Sequence, residues 1–174
     1  VLYFKKLNPF SKSKSAKMRR LTLELWKKII IACLPAAMLG FLIDDWLDAH
    51  LYNGFVVSMA LIIYGILFIM IENSNKKRID SIRSVHAIDY QTALFIGFFQ
   101  VLALIPGTSR SGATIIGGMI LGASRAVSAE FSFFLSIPIM FGASLLKLVK
   151  FGFHYTAAEV VYLLLGMIVA FVVS

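Results

Sequence analysis

The sequence predicts an all-α polytopic membrane protein of about four spanning helices and one re-entrant helix hairpin. Three observations predict it. Hydrophobic residues make up 59% of the 174 and charged residues 15%, with a mean hydropathy of +0.85; soluble domains sit near 45–50% apolar and 25% charged. The apolar residues gather into six segments of unequal length, at roughly 29–47, 54–71, 92–105, 113–122, 129–148 and 157–174. Between the third and the fourth lies a run rich in hydroxyls around one arginine, Pro106-Gly107-Thr108-Ser109-Arg110-Ser111-Gly112-Ala113-Thr114.

Residues 1–28 read as a basic cytoplasmic loop. Nine of the seventeen basic residues (Lys5, Lys6, Lys12, Lys14, Lys17, Arg19, Arg20, Lys27 and Lys28) fall there, ahead of the first apolar run. That bias follows the positive-inside rule and the pull of anionic lipid, so the net charge of +8 does not signal a nucleic-acid partner. Residues 8–17 read as a polar, solvated connector. The segments at 29–47 and 54–71 are long enough to span, since a span needs about 20 residues, or about 30 Å. Asp44, Asp45 and Asp48, between these two, mark the side opposite the basic flank. Lys76, Lys77, Arg78 and Arg83 return the chain to the basic side.

The segments at 92–105 and 113–122 reach roughly 21 and 15 Å as helices, too short to cross. Together they read as a re-entrant hairpin over 92–122, starting and ending on the basic side with the arginine loop at its tip. One long helix kinked at Pro106 is the alternative, because proline and glycine occur within spans. The segments at 129–148 and 157–174 complete the set of spans. The whole chain, 1–174, reads as a single membrane domain, cut at both ends.

Arginine at membrane depth is costly and normally faces a cavity or a partner. Pro106 lacks a backbone donor and Gly107 tolerates positive φ, so the pair can end one helix and turn the chain. With Thr108 or Ser109 as N-cap, a new helix aims its first N–H groups and its positive dipole end into the cavity, where an anion is the natural guest. Arg110 offers paired donors to phosphate oxygens and stays charged when desolvated. Ser109 and Ser111 flank it, and Ser111 and Thr114 share a helix face. Gln100 is polar inside an apolar arm, either a site residue or a helix-to-helix hydrogen bond. Gly117, Gly118 and Gly122 read as packing residues. Glu130, Arg125, Lys147 and Lys150 read as interfacial. His50, His86 and His154 fall in predicted loops near different membrane ends, so no metal cluster is visible. The single cysteine, Cys33, excludes a disulfide within the chain.

The run from Gln100 to Thr114 closely resembles the second signature of bacterial undecaprenyl-diphosphate phosphatases, the bacitracin-resistance family, whose pattern is Pro-Gly-x-Ser-Arg-Ser-x-x-Thr. All six defined positions match, and the flanks Gly117-Gly118 and Ala129-Glu130-Phe131-Ser132-Phe133 are similar too. The resemblance covers essentially the whole chain, which looks like the later two thirds of a family member. It implies removal of the terminal phosphate from a C55 polyprenyl diphosphate, recycling the lipid carrier of cell-wall synthesis and conferring bacitracin resistance. The implied fold is an inverted repeat whose two re-entrant hairpins meet mid-membrane in the bacterial inner membrane, with a site opening to the outer face. By the same resemblance, Arg110, Ser109 and Ser111 are catalytic. Gly107, Thr108, Thr114 and Gln100 bind substrate or support the pocket, and a divalent cation, Mg²⁺ or Ca²⁺, is expected with unknown ligands. A homodimer is compatible with this reading.

The family's first signature, a glutamate-rich hairpin with serines and a histidine, has no counterpart in residues 1–91. The general base, the metal carboxylates and the nucleophile are therefore expected elsewhere in a longer parent, and the 174 residues are expected to be inactive by themselves. The type-2 phosphatidic acid phosphatases need a Pro-Ser-Gly-His loop that is absent here. A transporter or flippase for a phosphorylated lipid or anion is the alternative of a different class, since such proteins also aim hairpin helix N-termini at anions.

Overall fold

The computed structural model describes residues 4–8, 15–75, 80–152 and 156–173. Helices α1 (Phe4–Leu7), α2 (Ala16–Leu51), α3 (Gly54–Asn75), α4 (Tyr90–Val101), α5 (Arg110–Ile120), α6 (Arg125–Phe151) and α7 (Ala157–Val173) account for most of them. Short 3₁₀ turns stand at Val85–Ala87 and Leu102–Leu104. Residues 1–139 and 140–174 form two compact units.

Helix α2 differs from the sequence expectation at both ends. The Ser15 hydroxyl caps it by accepting from Met18 N, so residues 16–28 are helix and not loop. Lysine and arginine are good helix formers, and charge sets where a helix meets lipid without ending it. Lys28, expected in the solvated flank, is buried: its Nζ donates to the His86 carbonyl at 3.0 Å and lies 5.8 Å from the centre of the Tyr90 ring. His86 is accordingly half-buried rather than at the surface. At the other end α2 runs through Asp44, Asp45, Asp48 and His50 to Leu51. His50, expected in a loop, belongs to this last turn and stacks on Trp46 at 4.8 Å. Tyr52 and Asn53 are all that separate α2 from α3, where Asn53 Oδ1 accepts from Val56 N. Most of the connector at 8–17, Lys76-Lys77-Arg78 and His154 lie outside the described residues.

Among the described residues three helices, α2, α3 and α6, are long and apolar enough to cross a membrane, where four were expected. Helix α7, the fourth expected, is apolar over 17 described residues, about 25 Å, at the lower end of the length that spans. It opens on a capping box in which Thr156 N donates to Glu159 Oε2 and Glu159 N to Thr156 Oγ1. The protein is an all-α polytopic membrane protein. Helix α3 shows why: Ile62, Ile66 and Ile69 point outward and the helix buries little of itself, which is stable in lipid and not in water.

In the first unit α4 and α5 form the hairpin. Asp89 caps α4 through a 2.8 Å bond from Thr92 N, and α4 climbs beside α2 in the same direction, Gly97 lying against Ala32. Helix α5 returns antiparallel, Gly117 lying against the Phe99 ring. The two feet are tied together: Ser81 N and Ile82 N both donate to the Gly122 carbonyl at 3.0 Å, and Ser124 N donates to Ile82 O at 2.9 Å. A single kinked span is therefore ruled out. Helix α6 then rises antiparallel to α5, with Ser128 beside Gly118 and Ser132 beside Thr114. Leu25 and Ile29 of α2, Ala93 and Ile96 of α4, and Phe131, Phe134 and Leu135 of α6 close a core around the lower half of the hairpin. Two ion pairs brace the same end, Lys6–Glu130 at 2.6 Å and Arg125–Glu72 at 3.0 Å.

The Asp89 cap gives a first expected outcome. Hydrogen bonds from Thr92 hold the Asp89 carboxyl below the usual carboxylate range. Because the folded value is the lower one, this contribution is present above the ordinary aspartate pKa of about 4 and is lost as pH falls through the folded value. Asp89→Ala should cost about 1 kcal/mol in thermal unfolding at pH 7, while Asp89→Asn keeps the cap and removes that part of the acid sensitivity. An unchanged melting temperature for Asp89→Ala would show that the cap carries no stability.

Candidate anion site at the hairpin tip

The tip is built from its backbone outward. After the 3₁₀ turn Leu102–Leu104, Pro106 and Gly107 reverse the chain, with Gly107 at φ +91°. A Cβ there would stand 2.7 Å from the carbonyl oxygen of Val57, so glycine is required both by the turn and by its close approach to α3. On the other side Leu104 Cδ2 reaches Gly40 of α2. The tip thus sits beside the first turn of α3, near the α2–α3 connection and far from the tied feet.

Ser109, not Thr108, is the N-cap of α5: its side chain accepts from Gly112 N at 3.2 Å. Gly112 leaves room for this, since a Cβ would meet the Ser109 side chain at 3.2 Å. The first intrahelical bond runs from Ala113 N to Ser109 O, so the N–H groups of Arg110 and Ser111 precede the ladder and point out of the helix end. The Ser109 and Ser111 hydroxyls lie 3.2 Å apart, both residues exposed. Arg110 is half-buried, and among the described residues no hydrogen bond or ion pair reaches its guanidinium. A cation with no partner among the described residues, two unladdered N–H groups and a hydroxyl pair thus all belong to the first turn of α5 and its N-cap, at the positive end of the helix.

The remaining sequence candidates take other places. Thr108 Oγ1 turns back to the Ile105 and Leu102 carbonyls at 2.6 and 2.8 Å and fastens the turn. Thr114 does not share the exposed surface with Ser111. It is buried, bonded to the Arg110 and Ser111 carbonyls at 3.0 and 3.1 Å and to Ser132 Oγ at 2.7 Å, so it locks the first turn of α5 onto α6. Gln100 is 2% exposed, below the tip on α4. Gly118 packs as the sequence suggests, against Ser128. Residues that sequence reasoning missed include Gly97, Ser132 and Val57; a serine in the middle of an apolar helix was the one available signal, for Ser132.

Among the described residues no group of three or more His, Cys, Asp or Glu side chains could hold a metal ion. The tip itself offers hydroxyls beside an arginine, a set that repels a cation. It does not fit a divalent metal.

Comparison with known proteins places this geometry in context. Residues 1–174 match the family described as "Bacitracin resistance protein BacA". The chain is 55% identical to the undecaprenyl-diphosphatase of Desulfitobacterium hafniense, 54% to that of Enterococcus faecalis and 55% to that of Acetivibrio thermocellus. Each match takes in all of this chain, which spans 63%, 64% and 64% of those relatives, just under two thirds of their length.

Proposed function

Since the chain belongs to the bacitracin resistance protein BacA family, we propose that its parent protein hydrolyses undecaprenyl diphosphate to undecaprenyl phosphate and inorganic phosphate, and that the hairpin tip holds the diphosphate. The observation that carries the reading is Arg110, a guanidinium with no hydrogen bond or ion pair among the described residues, at the N-terminus of a helix inside a membrane protein. Arg110 takes two phosphoryl oxygens in a fork, the Arg110 and Ser111 N–H groups take a third, and the Ser109 and Ser111 hydroxyls complete the cradle. The nucleophile that bonds to the terminal phosphorus belongs to the rest of the parent; the bond from that phosphorus to the bridging oxygen breaks, the bridging oxygen leaves on undecaprenyl phosphate with the electron pair, and the net reaction adds one water to release inorganic phosphate. Charge spreads over the transferred phosphoryl oxygens as this happens, and the fixed donors meet it without reorganising.

The base that takes the water's proton is not among the tip residues and belongs to the rest of the parent. So do the carboxylates for the divalent cation, Mg²⁺ or Ca²⁺, that the reading includes. The reading also makes the hairpin one of two in an inverted repeat. Exposed Lys17, Arg19, Arg20 and Lys27 set the cytoplasmic end, and the tip, near the Asp45 end, opens to the outer face.

The test is phosphate release from undecaprenyl diphosphate by the full-length parent in detergent, with Mg²⁺, with Ca²⁺ and with a chelator, alongside the 174-residue chain. The expected result is metal-dependent release by the parent and none by the shorter chain. Movement of the lipid across vesicles without release would turn the reading to a transporter, and robust release by the 174 residues would sink the assignment of the base to the rest of the parent.

A further inference from the structure

We infer that Ser132 of α6 is a positioning residue for the tip, its hydroxyl setting, through Thr114, the two peptide planes that aim the donors of the anion cradle. The inference rests on the diphosphate reading of the tip and adds a buried residue outside the cradle. A serine inside an apolar helix can satisfy its hydroxyl on its own helix, as Ser136 does by donating to the Phe133 carbonyl at 2.7 Å. The buried Ser132 hydroxyl instead meets Thr114 Oγ1 of α5 at 2.7 Å.

Counting protons gives that contact a direction. Thr114 Oγ1 also lies 3.0 Å from the Arg110 carbonyl oxygen and 3.1 Å from that of Ser111. Thr114 has one hydroxyl proton and a carbonyl can only accept. Each of these contacts is a hydrogen bond only if Thr114 donates to the carbonyls and Ser132 donates to Thr114. The peptide unit is planar and stiff, which carries the hold through to its other side. The Arg110 carbonyl shares its plane with the Ser111 N–H, one of the two unladdered donors at the helix end. The Ser111 carbonyl shares its plane with the Gly112 N–H, which donates to the Ser109 hydroxyl at 3.2 Å. Ser132 thereby fixes from behind the aim of a cradle donor and of the Ser109 side chain.

Ser132→Ala in the full-length parent should lower kcat for phosphate release from undecaprenyl diphosphate by about tenfold, with KM within about threefold, because a donor free to tilt costs most where charge develops. Ser128→Ala is the control on the same face of α6. The Ser128 hydroxyl is buried against Gly118 and has no hydrogen-bond partner among the described residues, so its removal should leave kcat as it is. Thr114→Val keeps the side chain's shape and removes the relay. Since Ser132 acts through Thr114, the double variant with Ser132→Ala should be no slower than Thr114→Val alone. Ser132→Cys, close in shape and only a weak donor, should also lose kcat and covers the case in which Ser132→Ala fails to fold. Wild-type kcat per folded molecule in the Ser132 variants, an equal loss in Ser128→Ala, or additive losses in the double variant overturns the inference and leaves the function standing. A wild type that releases no phosphate sinks the diphosphate reading along with it.

Discussion

Arg110→Lys in the full-length parent should lower the turnover of undecaprenyl diphosphate by about 100-fold or more, nearly as far as Arg110→Ala, with the melting temperature of each close to wild type. Removing one fixed donor from a site that meets developing charge costs roughly 100- to 1,000-fold. Lysine keeps the charge but not the planar fork, and its ammonium is a compact point charge on a flexible stem with a stronger hold on water. Stability should survive because, among the described residues, no hydrogen bond or ion pair to the guanidinium holds the fold together. The measurement is kcat and KM for phosphate release with purified, folded variants. If Arg110→Lys retains more than about a third of wild-type turnover, the fork geometry is irrelevant and Arg110 acts only as a diffuse charge; if Arg110→Ala retains it as well, the tip is not the reaction centre.

The second large effect lies away from the chemistry. Gly97→Leu should prevent the parent from accumulating in the membrane as a folded protein. A Cβ at Gly97 would stand 2.3 Å from the Ala32 carbonyl oxygen and 2.9 Å from its carbon, both of them backbone, so nothing there can rotate aside. Helix α4 would have to leave α2, opening the seam that carries Ala93, Ile96 and Gln100, at a cost of about 3 kcal/mol or more. Gly65→Ala is the matched control, since a Cβ there meets nothing within 4 Å. Thermal unfolding and yield after detergent extraction should separate the two sharply. Comparable yields would mean that the α2–α4 crossing is looser than the close approach of Gly97 implies.

The hairpin was legible because length decides it: arms of 12 and 11 residues in α4 and α5 cannot cross a membrane, and Pro106-Gly107 can only be a turn. The Ser109 cap was legible as one of two choices from the same local chemistry. The ends of α2 were not. Charges at 16–28 and 44–48 report where a chain meets water, while helix continuation depends on propensity and capping, and Ser15 supplies the cap. Thr114 was expected to share a face with the exposed Ser111, but its hydroxyl turns inward to Ser132, 18 residues on, and such tertiary partners leave no trace in spacing. Gly97 reads as an ordinary glycine until Ala32 is placed beside it.

The tied feet of the hairpin also suggest an order of assembly, one that pulse-labelled insertion of truncated chains would test. Neither α4 nor α5 is long enough to be committed to the bilayer as a span, and a tip carrying Arg110 and three hydroxyl residues gains nothing from lipid. Helices α2 and α3 are joined by two residues and can enter as a pair. The hairpin then follows as a loop closed at Ser81, Ile82 and Gly122, pushed up along the Ala32–Gly40 wall of α2 and finally clasped by Ser132 of α6. On this order the arginine never faces acyl chains without a protein wall beside it.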